Sequence, residues 1–284
     1  MGANVRYGIV FPNTDVRTVP QLAAEAEQAG WDGVFVPDCI NIPGSGPEIA
    51  YDPWVVMAAM ATRTSRVVLG TMLTPLSRRR PWKIARETMT LDHLSEGRVV
   101  LPVGLGALDD EGFGKVGEAT SKRERAELLD ESLAIIDGLW SGEPFAFSGK
   151  HYQVEEMTFV PRPVQRPRIP VWVVGAWPRE RSMQRVLRWD GLLPNVLSPE
   201  GTHAEISVAA VREMAAWIAD HREATTPFDI VIESPTPADD PAQAAALAAE
   251  WADAGATWLL ESFWTGPNDT DTIRRRIQAG PPRG

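Results

Sequence analysis

The sequence predicts an α/β fold, a (β/α)8 TIM barrel with an insertion after the fourth helix. Short apolar runs rich in β-branched residues alternate eight times with segments of helical periodicity. The chain has 284 residues, and a barrel of this kind typically needs about 250. No long linker and no shift in composition divides the repeats, so one domain is expected over residues 1–284. An open, doubly wound sheet is the alternative.

The predicted strands are short and apolar, as suits strands buried on both faces. They cover residues 5–11, 32–37, 67–72, 99–103, 169–174, 191–193, 229–233 and 257–261. A long helix is expected to begin at Ser198-Pro199, because serine is a preferred helix cap and proline suits the first turn. The alternation breaks at 142–170, where a small hairpin followed by a proline-rich connector predicts the insertion.

Composition narrows the class of protein. A formal net charge of −10 argues against nucleic acid or an anionic membrane as the main partner. The single cysteine, Cys39, excludes an intrachain disulfide and a cysteine-cluster metal site. No stretch approaches the roughly 20 apolar residues of a membrane span, so a soluble, cytoplasmic protein is expected. No metal site is expected, since His93, His203 and His221 fall on predicted outer helices.

In such a barrel the active site lies where the strands end. The candidate residues at these ends are Asn13, Asp38, Cys39, Thr71, Met72, the 104–111 loop, the 175–179 segment, Asn195, Glu233 and the 261–264 segment. A polar residue at a loop entrance is the alternative reading of each one.

The stretch 98–114 is the most informative of these. A buried strand ends in Gly104-Leu105-Gly106, where a ligand could approach the backbone, and Asp109, Asp110 and Glu111 follow. This pattern indicates the floor and rim of a site, or an ordinary glycine turn with a solvated acidic loop.

A second stretch indicates phosphate binding. The strand that ends at Gly175 is followed by Ala176-Trp177 and by Pro178, which is expected to open a helix. Free N–H groups at a helix start bind phosphate, and Arg179 would supply a counter-charge. The alternative is that Arg179 pairs with Glu180 or solvent.

Together these segments resemble the bacterial luciferase-like family of flavin- and deazaflavin-dependent oxidoreductases. The resemblance is carried by Gly-Trp-Asp-Gly-Val-Phe-Val-Pro-Asp ending at Asp38, by 67–75, by Thr-Leu-Asp-His-Leu-Ser-Glu-Gly-Arg-Val-Val-Leu-Pro-Val-Gly-Leu-Gly ending at Gly106, by 161–175 and by 255–261. These motifs follow one another in order over nearly the whole chain.

The resemblance implies a TIM-like barrel with a flat tricyclic cofactor, FMN or an 8-hydroxy-5-deazaflavin coenzyme, across the strand ends. It implies a bulge, often with a non-prolyl cis peptide, at Thr71-Met72. With the phosphate segment included, the expected cofactor-binding residues are Asp38, Thr71, Met72, Thr74, Gly104, Gly106, Asp110, Gly175, Ala176, Trp177 and Arg179.

Three departures limit what the resemblance implies. The deazaflavin-dependent sugar-phosphate and alcohol dehydrogenases often have Asp-His where this chain has Asp38-Cys39. The sugar-phosphate enzymes place an acid where this chain has Ala107, and luciferases often place an arginine where it has Leu105. Neither light emission nor sugar-phosphate oxidation is therefore expected. Asp38, Cys39 and Glu111 remain catalytic candidates without an assigned role.

The leading hypothesis is an oxidoreductase that takes a reduced deazaflavin or FMN as a diffusible co-substrate. It would transfer hydride to, or oxygenate, a small apolar substrate held under the inserted hairpin. The apolar residues expected at the mouth are Trp54, Met72, Phe113, Trp177 and Trp264. The alternatives are a flavin-binding barrel with little catalysis and a metal-independent lyase or hydrolase. The expected partners are the substrate and the flavin-type coenzyme, with a homodimer as one expected assembly.

Overall fold

Parallel strands and the helices between them account for most of the chain. The computed structural model describes residues 5–12, 15–41, 50–264 and 269–282. The strands of its main sheet are β1 (Arg6–Val10), β2 (Gly33–Val36), β3 (Val68–Thr71), β4 (Thr74–Pro75), β5 (Leu101–Gly104), β8 (Val171–Trp177), β9 (Gly191–Val196), β10 (Asp229–Glu233) and β11 (Trp258–Ser262). Two further strands, β6 (Phe145–Ser148) and β7 (Gln153–Met157), form a separate hairpin.

The helices are α1 (Val19–Gln28), α2 (Pro53–Ala61), α3 (Pro81–Leu94), α4 (Lys122–Trp140), α5 (Glu180–Val186), α6 (Val208–His221), α7 (Pro241–Asp253) and α8 (Thr270–Gln278). The sheet order is β3-β2-β1-β11-β10-β9-β8-β5-β4, and every pairing in it is parallel.

The two ends of this sheet meet. Leu69 of β3 bridges Val99, with the Leu69 N–H donating to the Arg98 carbonyl at 2.8 Å and the Val100 N–H to the Leu69 carbonyl at 2.9 Å. Past residues 72–73 the same barrel strand continues as β4, which pairs with β5. The predicted (β/α)8 barrel is therefore confirmed, and the open-sheet alternative is excluded.

Three large aromatic side chains fill the amino-terminal half of the barrel. Phe35, Trp172 and Trp258 are fully buried, with ring centroids 5.5 to 6.1 Å apart. Inward-facing glycines make room for them, because an added Cβ would stand within 3.0 Å of one of the three rings. These glycines are Gly8, Gly33, Gly70 and Gly191. Among the described residues these rings fill the lower half of the barrel, so a ligand on the barrel axis would lie at the carboxyl-terminal end.

The β6–β7 hairpin packs on the outer helices. Glu131 of α4 accepts hydrogen bonds from the backbone N–H groups of Lys150, His151 and Tyr152 at 2.8 to 3.0 Å. Tyr152 in turn meets Trp82 of α3, edge to face. These contacts hold the insertion against α3 and α4, and its covering of a substrate stays a prediction.

The segment after β9 also differs from prediction. The helix expected to begin at Ser198 begins at Val208 instead, because the Ser207 side chain accepts from the Ala210 N–H at 3.1 Å and caps it there. Residues 198–206 form a loop in which His203 bridges Leu197. No helix of the described segments is both long and apolar enough to cross a bilayer.

Candidate functional site at the carboxyl end of the barrel

The mouth of the barrel is framed by side chains that point inward at the strand ends. Since side chains alternate along a strand, the residues two or four beyond each interior residue share its side of the sheet. Counting on from Trp172, Leu193, Val231 and Leu260, which line the barrel interior, gives the inward set at the mouth. With Met72 and Gly104, this set is Ala176, Asn195, Glu233 and Ser262.

One side of the mouth holds a buried group of ion pairs, here called the arginine cluster: Asp38, Arg78, Arg79 and Asp110. Arg79 Nη2 lies 2.5 Å from Asp38 Oδ1, and Arg78 Nη2 lies 3.5 Å from the same oxygen. Burial raises the pKa of the Asp38 carboxyl, although Arg79 and Arg78 act in the opposite direction. The second oxygen, Asp38 Oδ2, is buried and has no recorded hydrogen-bond partner.

Asp110 fastens two loops together. Its carboxylate accepts from the backbone N–H groups of Ile40, Asn41 and Gly112 at 3.0 to 3.2 Å and pairs with Arg78. Burial acts to raise the pKa of Asp110, but the hydrogen bonds from Arg78, Gly112 and Asn41 outweigh it and leave the pKa lowered. An ionised carboxylate so occupied holds the protein together and has little capacity left for a ligand.

Glu111 is also engaged. It accepts from Asn41 Nδ2 at 2.6 Å and from Lys115, and the hydrogen bonds from Lys115 and Asn41 lower its pKa. Its arrangement suits a loop anchor better than a group that exchanges protons near neutral pH.

The glycine turn is held from outside the barrel. Arg125 Nη1 donates to the Gly106 carbonyl at 2.8 Å, and Ser77 Oγ donates to the Leu105 carbonyl at 3.0 Å. Gly106 has φ +79°, and a Cβ there would lie 2.7 Å from Phe113 and from Pro75. Gly104 differs, because its missing side chain would point into the barrel, 2.9 Å from Val174 and 3.0 Å from Leu73.

The predicted bulge in the third barrel strand is present, one residue later than expected. The non-prolyl cis peptide joins Met72 to Leu73 rather than Thr71 to Met72. Thr71 and Thr74 are fully buried, and their hydroxyls share a hydrogen bond of 2.7 Å across the bulge. These threonines fix the backbone, while Met72 and Leu73 face the barrel interior.

The residues predicted to bind phosphate, at the end of β8, face in different directions. Gly175 faces outward, where a Cβ would lie 2.4 Å from Leu192 and 2.8 Å from Met183. Trp177, also outward, packs edge to face on Trp217 of α6. Ala176 faces the mouth, with its N–H hydrogen-bonded to Ser182 Oγ at 3.0 Å. Arg179 is exposed and occupies the N-cap position of α5 without a side-chain cap hydrogen bond; the helix begins at Glu180 rather than at Pro178.

The opposite side of the mouth, here called the β9–β11 rim, consists of Asn195, His203, Glu233, Ser262 and Trp264. Trp264 Nε1 donates to Glu233 Oε2, and the Ser262 hydroxyl also bonds the Glu233 carboxyl. Burial raises the pKa of Glu233, and the two hydrogen bonds act against that rise. On the neighbouring strand, His203 Nδ1 lies 2.7 Å from Asn195 Oδ1.

The structure brings the sequence-predicted residues together in two groups. Asp38 and Asp110 meet through Arg78, whereas Met72, Gly104 and Ala176 surround the barrel axis. Of the apolar residues expected at the mouth, Trp54 and Phe113 are buried in the protein and Trp177 faces outward, which leaves Met72 and Trp264. Asn13 lies outside the described residues.

Sequence reasoning missed Arg78 and Arg79. The run Arg78-Arg79-Arg80, just before the proline that opens α3, could have indicated them. Three adjacent positive charges at the end of a strand are expected to lie near acidic side chains. Sequence reasoning also placed His203 on an outer helix, whereas this residue lies in the loop beside Asn195. Among the described residues, no group of three or more His, Cys, Asp or Glu could hold a metal ion.

Comparison with known proteins agrees with the barrel fold. The family model described as luciferase-like monooxygenase matches residues 4–279. The chain belongs to that family. An F420-dependent glucose-6-phosphate dehydrogenase of Microbacterium testaceum is 36% identical over 159 residues, which are 54% of this chain and 45% of the relative. The chain therefore spans about half the length of the curated dehydrogenases that it matches.

Two other comparisons extend over most of the chain. An uncharacterized protein of Mycobacterium tuberculosis is 29% identical over 274 residues, covering 90% of this chain and 91% of the relative. Among solved structures, an F420-dependent secondary alcohol dehydrogenase in complex with an F420–acetone adduct has a TM-score of 0.78 at 16% identity, covering 97% of both chains. At that identity the likeness establishes the luciferase-like barrel fold alone.

Proposed function

We propose that this family member is a flavin-type oxidoreductase that uses the deazaflavin F420, with FMN as the alternative, on a small apolar organic substrate. The observation that carries the proposal is the floor of the mouth. Met72, Leu73 and Val174 face the barrel axis there, half-buried, and Gly104 leaves between them a space that one added Cβ would fill. A flat ring system needs an apolar surface of this kind.

The residues present fit such a cofactor on a second ground. Asp38 Oδ2 is a buried carboxylate oxygen without a recorded partner at the edge of the mouth. A buried polar atom is normally hydrogen-bonded, so a ligand donor at this point would satisfy it. Arg78 and Arg79 would hold the carboxylate in place while it accepts that bond.

When bound, a reduced deazaflavin or flavin supplies a hydride, and reduced FMN can also activate oxygen. The chain itself would exclude water from the ring face through Met72, Leu73 and Val174. The bulge at Met72-Leu73, fixed by Thr71 and Thr74, would press on that face from behind. Ala176, at the end of β8, would leave room at the opposite edge of the ring.

Deazaflavin is favoured over FMN by Leu105, which stands where luciferases often carry an arginine. The F420-dependent relatives support the same choice. Monooxygenation with FMN is the second candidate, and the family description of a luciferase-like monooxygenase favours it.

The test is to titrate the purified protein with F420 and with FMN by fluorescence or calorimetry. F420 should bind more tightly, and Gly104→Val should weaken binding at least tenfold. Gly114→Val is the matched control, because its Cβ would meet only Thr120, at 3.9 Å. Binding of neither cofactor at millimolar concentration would overturn the proposal, and binding without turnover on alcohols, ketones, aldehydes and alkenes would favour a barrel that binds flavin without catalysis.

A further inference from the structure

The family pattern leaves this mouth without its usual proton carriers, since Cys39 and Ala107 occupy the positions concerned. Asp38, Asp110 and Glu111 near them are each paired with a cation, and Asp109 is exposed on the outer part of its loop. A hydride transfer between carbon centres that involves an alcohol or a carbonyl also moves a proton, so some other group must take it.

Glu233 is the carboxyl of the mouth that has no cation beside it. In the described part of the chain, its recorded side-chain partners are the Trp264 indole N–H and the Ser262 hydroxyl, both uncharged. Glu261, on the adjoining strand, shows the contrast: it turns outward and pairs with Arg276 at 2.9 Å. A carboxyl held only by neutral donors can gain and lose a proton without breaking an ion pair.

Asn195 stands beside Glu233 on the next strand. Asp229 pairs with Gly191 in parallel register, so residues 233 and 195, each four positions further on, come to the same level. Ala176 pairs with Asn195 on the other side, which places all three in one layer of the mouth.

His203 orients the Asn195 amide. The 2.7 Å contact joins a ring nitrogen to the amide oxygen, which can only accept, so His203 Nδ1 carries the hydrogen. The amide Nδ2, with its two hydrogens, is thereby turned away from the ring and is a donor for a ligand in the mouth.

We propose that Glu233 is the proton carrier of this site and Asn195 the hydrogen-bond donor to the substrate oxygen, in the interconversion of a small apolar alcohol and its carbonyl compound. This inference rests on the proposed function. In the oxidative direction the carbinol C–H bond would break, and a bound oxidised deazaflavin or flavin would be the acceptor for its hydride, with both electrons. The O–H proton passes to the Glu233 carboxylate, and the C=O bond forms. In the reverse reaction the carbonyl compound receives the hydride at carbon and the proton at oxygen.

The electrostatics of the rim agree with this role. Burial raises the pKa of Glu233 toward the pH at which an acid–base group is useful, and Trp264 and Ser262 limit the rise. The titratable groups on the adjoining strands and loops are His203, which is exposed and faces Asn195, and Glu261, which faces Arg276 and Thr236. His203 is a positioning residue, since it acts through Asn195.

The first experiment needs no cofactor. The protein is labelled with 5-fluorotryptophan, the Trp264 resonance is assigned from the Trp264→Phe variant, and its fluorine shift is followed against pH. Because the Trp264 indole donates to Glu233, the resonance should titrate with a midpoint above the ordinary range of a glutamate, and Glu233→Gln should abolish that titration. A midpoint in the ordinary glutamate range would overturn the assignment of Glu233.

The second experiment measures turnover with F420 and a panel of small secondary alcohols and ketones. Glu233→Gln keeps an acceptor for Trp264 but cannot exchange a proton, so kcat should fall by roughly 10²–10⁴-fold, with the cofactor Kd unchanged and one limb of the pH profile lost. Asn195→Ala should lower kcat by roughly 10²-fold. Glu213→Gln, an exposed residue of α6, is the matched control.

The two proposals fail in different ways. Loss of cofactor binding in the wild-type protein would contradict the proposed function. Cofactor binding with no turnover on the panel, or with Glu233→Gln as active as wild type and unchanged in its pH profile, would overturn the role of Glu233 and Asn195 while leaving the cofactor proposal intact.

Discussion

The carboxyl groups on the two sides of the barrel mouth have different kinds of partner. In the arginine cluster, Asp38 and Asp110 are buried beside Arg78 and Arg79, and Asp110 also accepts three backbone N–H groups. On the β9–β11 rim, Glu233 is held by an indole and a hydroxyl. The first arrangement holds its carboxylates in ion pairs and fixes the loops, whereas the second lets the Glu233 carboxyl gain or lose a proton without breaking an ion pair.

This difference suggests separate roles for the two sides of the site, one in shaping the cofactor surface and the other in proton transfer. The arginine cluster joins the loops after β2 and β5, so it sets the shape of the surface on which a ring would lie. The rim supplies a titratable group on the other side of that surface. Asp110, which the family pattern marks, holds two loops together, and the carboxyl that we propose for proton transfer, Glu233, lies on the other side of the mouth.

The largest expected effect is on the arginine cluster. Arg78→Ala should destabilise the protein by about 3–5 kcal/mol, because it leaves the buried Asp110 carboxylate without its cation and leaves Asp38 with Arg79 alone. The measurement is the free energy of unfolding from urea denaturation. Arg123→Ala, which removes an exposed arginine from Glu127, should cost at most about 1 kcal/mol. Equal losses in the two variants would show that the cluster is no stronger than a surface ion pair.

The glycine turn gives the next largest effect. Gly106→Ala should cost about 2–5 kcal/mol, from its left-handed backbone and from a Cβ 2.7 Å from Phe113 and Pro75. Gly117→Ala is the control: its φ of +77° is similar but nothing lies within 4 Å of the added Cβ, so it should cost about 1–2 kcal/mol. Thermal denaturation measures the loss of stability in both variants, and the difference between the two losses is the contribution of packing against Phe113 and Pro75. Equal losses would show that Phe113 and Pro75 move aside.

The sequence was sufficient for the fold because alternating strand and helix patterns are local. The resemblance to the luciferase-like family, and not a local pattern, located the bulge to within one residue of Met72-Leu73. The sequence could not determine which way β8 faces, because the run Val171–Trp177 is apolar throughout and hides the alternation that turns Gly175 and Trp177 outward.

The ion pairs of the arginine cluster could not be predicted from local sequence patterns. Arg79 meets Asp38 from 41 residues away and Arg78 meets Asp110 from 32 residues away, and only the closed barrel brings them together. His203 was misplaced for a different reason. Ser198-Pro199 has the residue types of a helix start, but Ser207 provides the cap, so the loop between them carries His203 to Asn195.

A smaller effect is expected on the rim. The Trp264 indole N–H donates to the Glu233 carboxylate and so favours its charged form; Trp264→Phe should raise the pKa of Glu233 further. The limb of the pH–rate profile assigned to Glu233 should move to higher pH. Trp82→Phe, on α3, should leave the profile unchanged. A shift to lower pH after Trp264→Phe would mean that the indole does not stabilise the carboxylate.

The smallest effect is expected at Glu127, a half-buried carboxylate whose partners Lys150 and Arg123 are exposed to solvent. Lys150, His151 and Arg123 donate to it and lower its pKa to about 2. Since the folded pKa lies below the ordinary value of 4.5, its stabilising contribution is present above about pH 4.5 and is lost as the pH falls toward 2. Solvent screens such pairs, so Glu127→Gln should change the unfolding free energy far less than Arg78→Ala does.

The pH dependence distinguishes burial from the number of partners as the source of stability. The stability difference between wild type and Glu127→Gln should shrink between pH 5 and pH 2, while Glu143→Gln, at an exposed glutamate, should show no such trend. If Glu127→Gln proved as destabilising at neutral pH as Arg78→Ala, the number of donors would matter more than burial. The contrast between the arginine cluster and the rim would then reflect how many partners each carboxyl has, and not whether water reaches it.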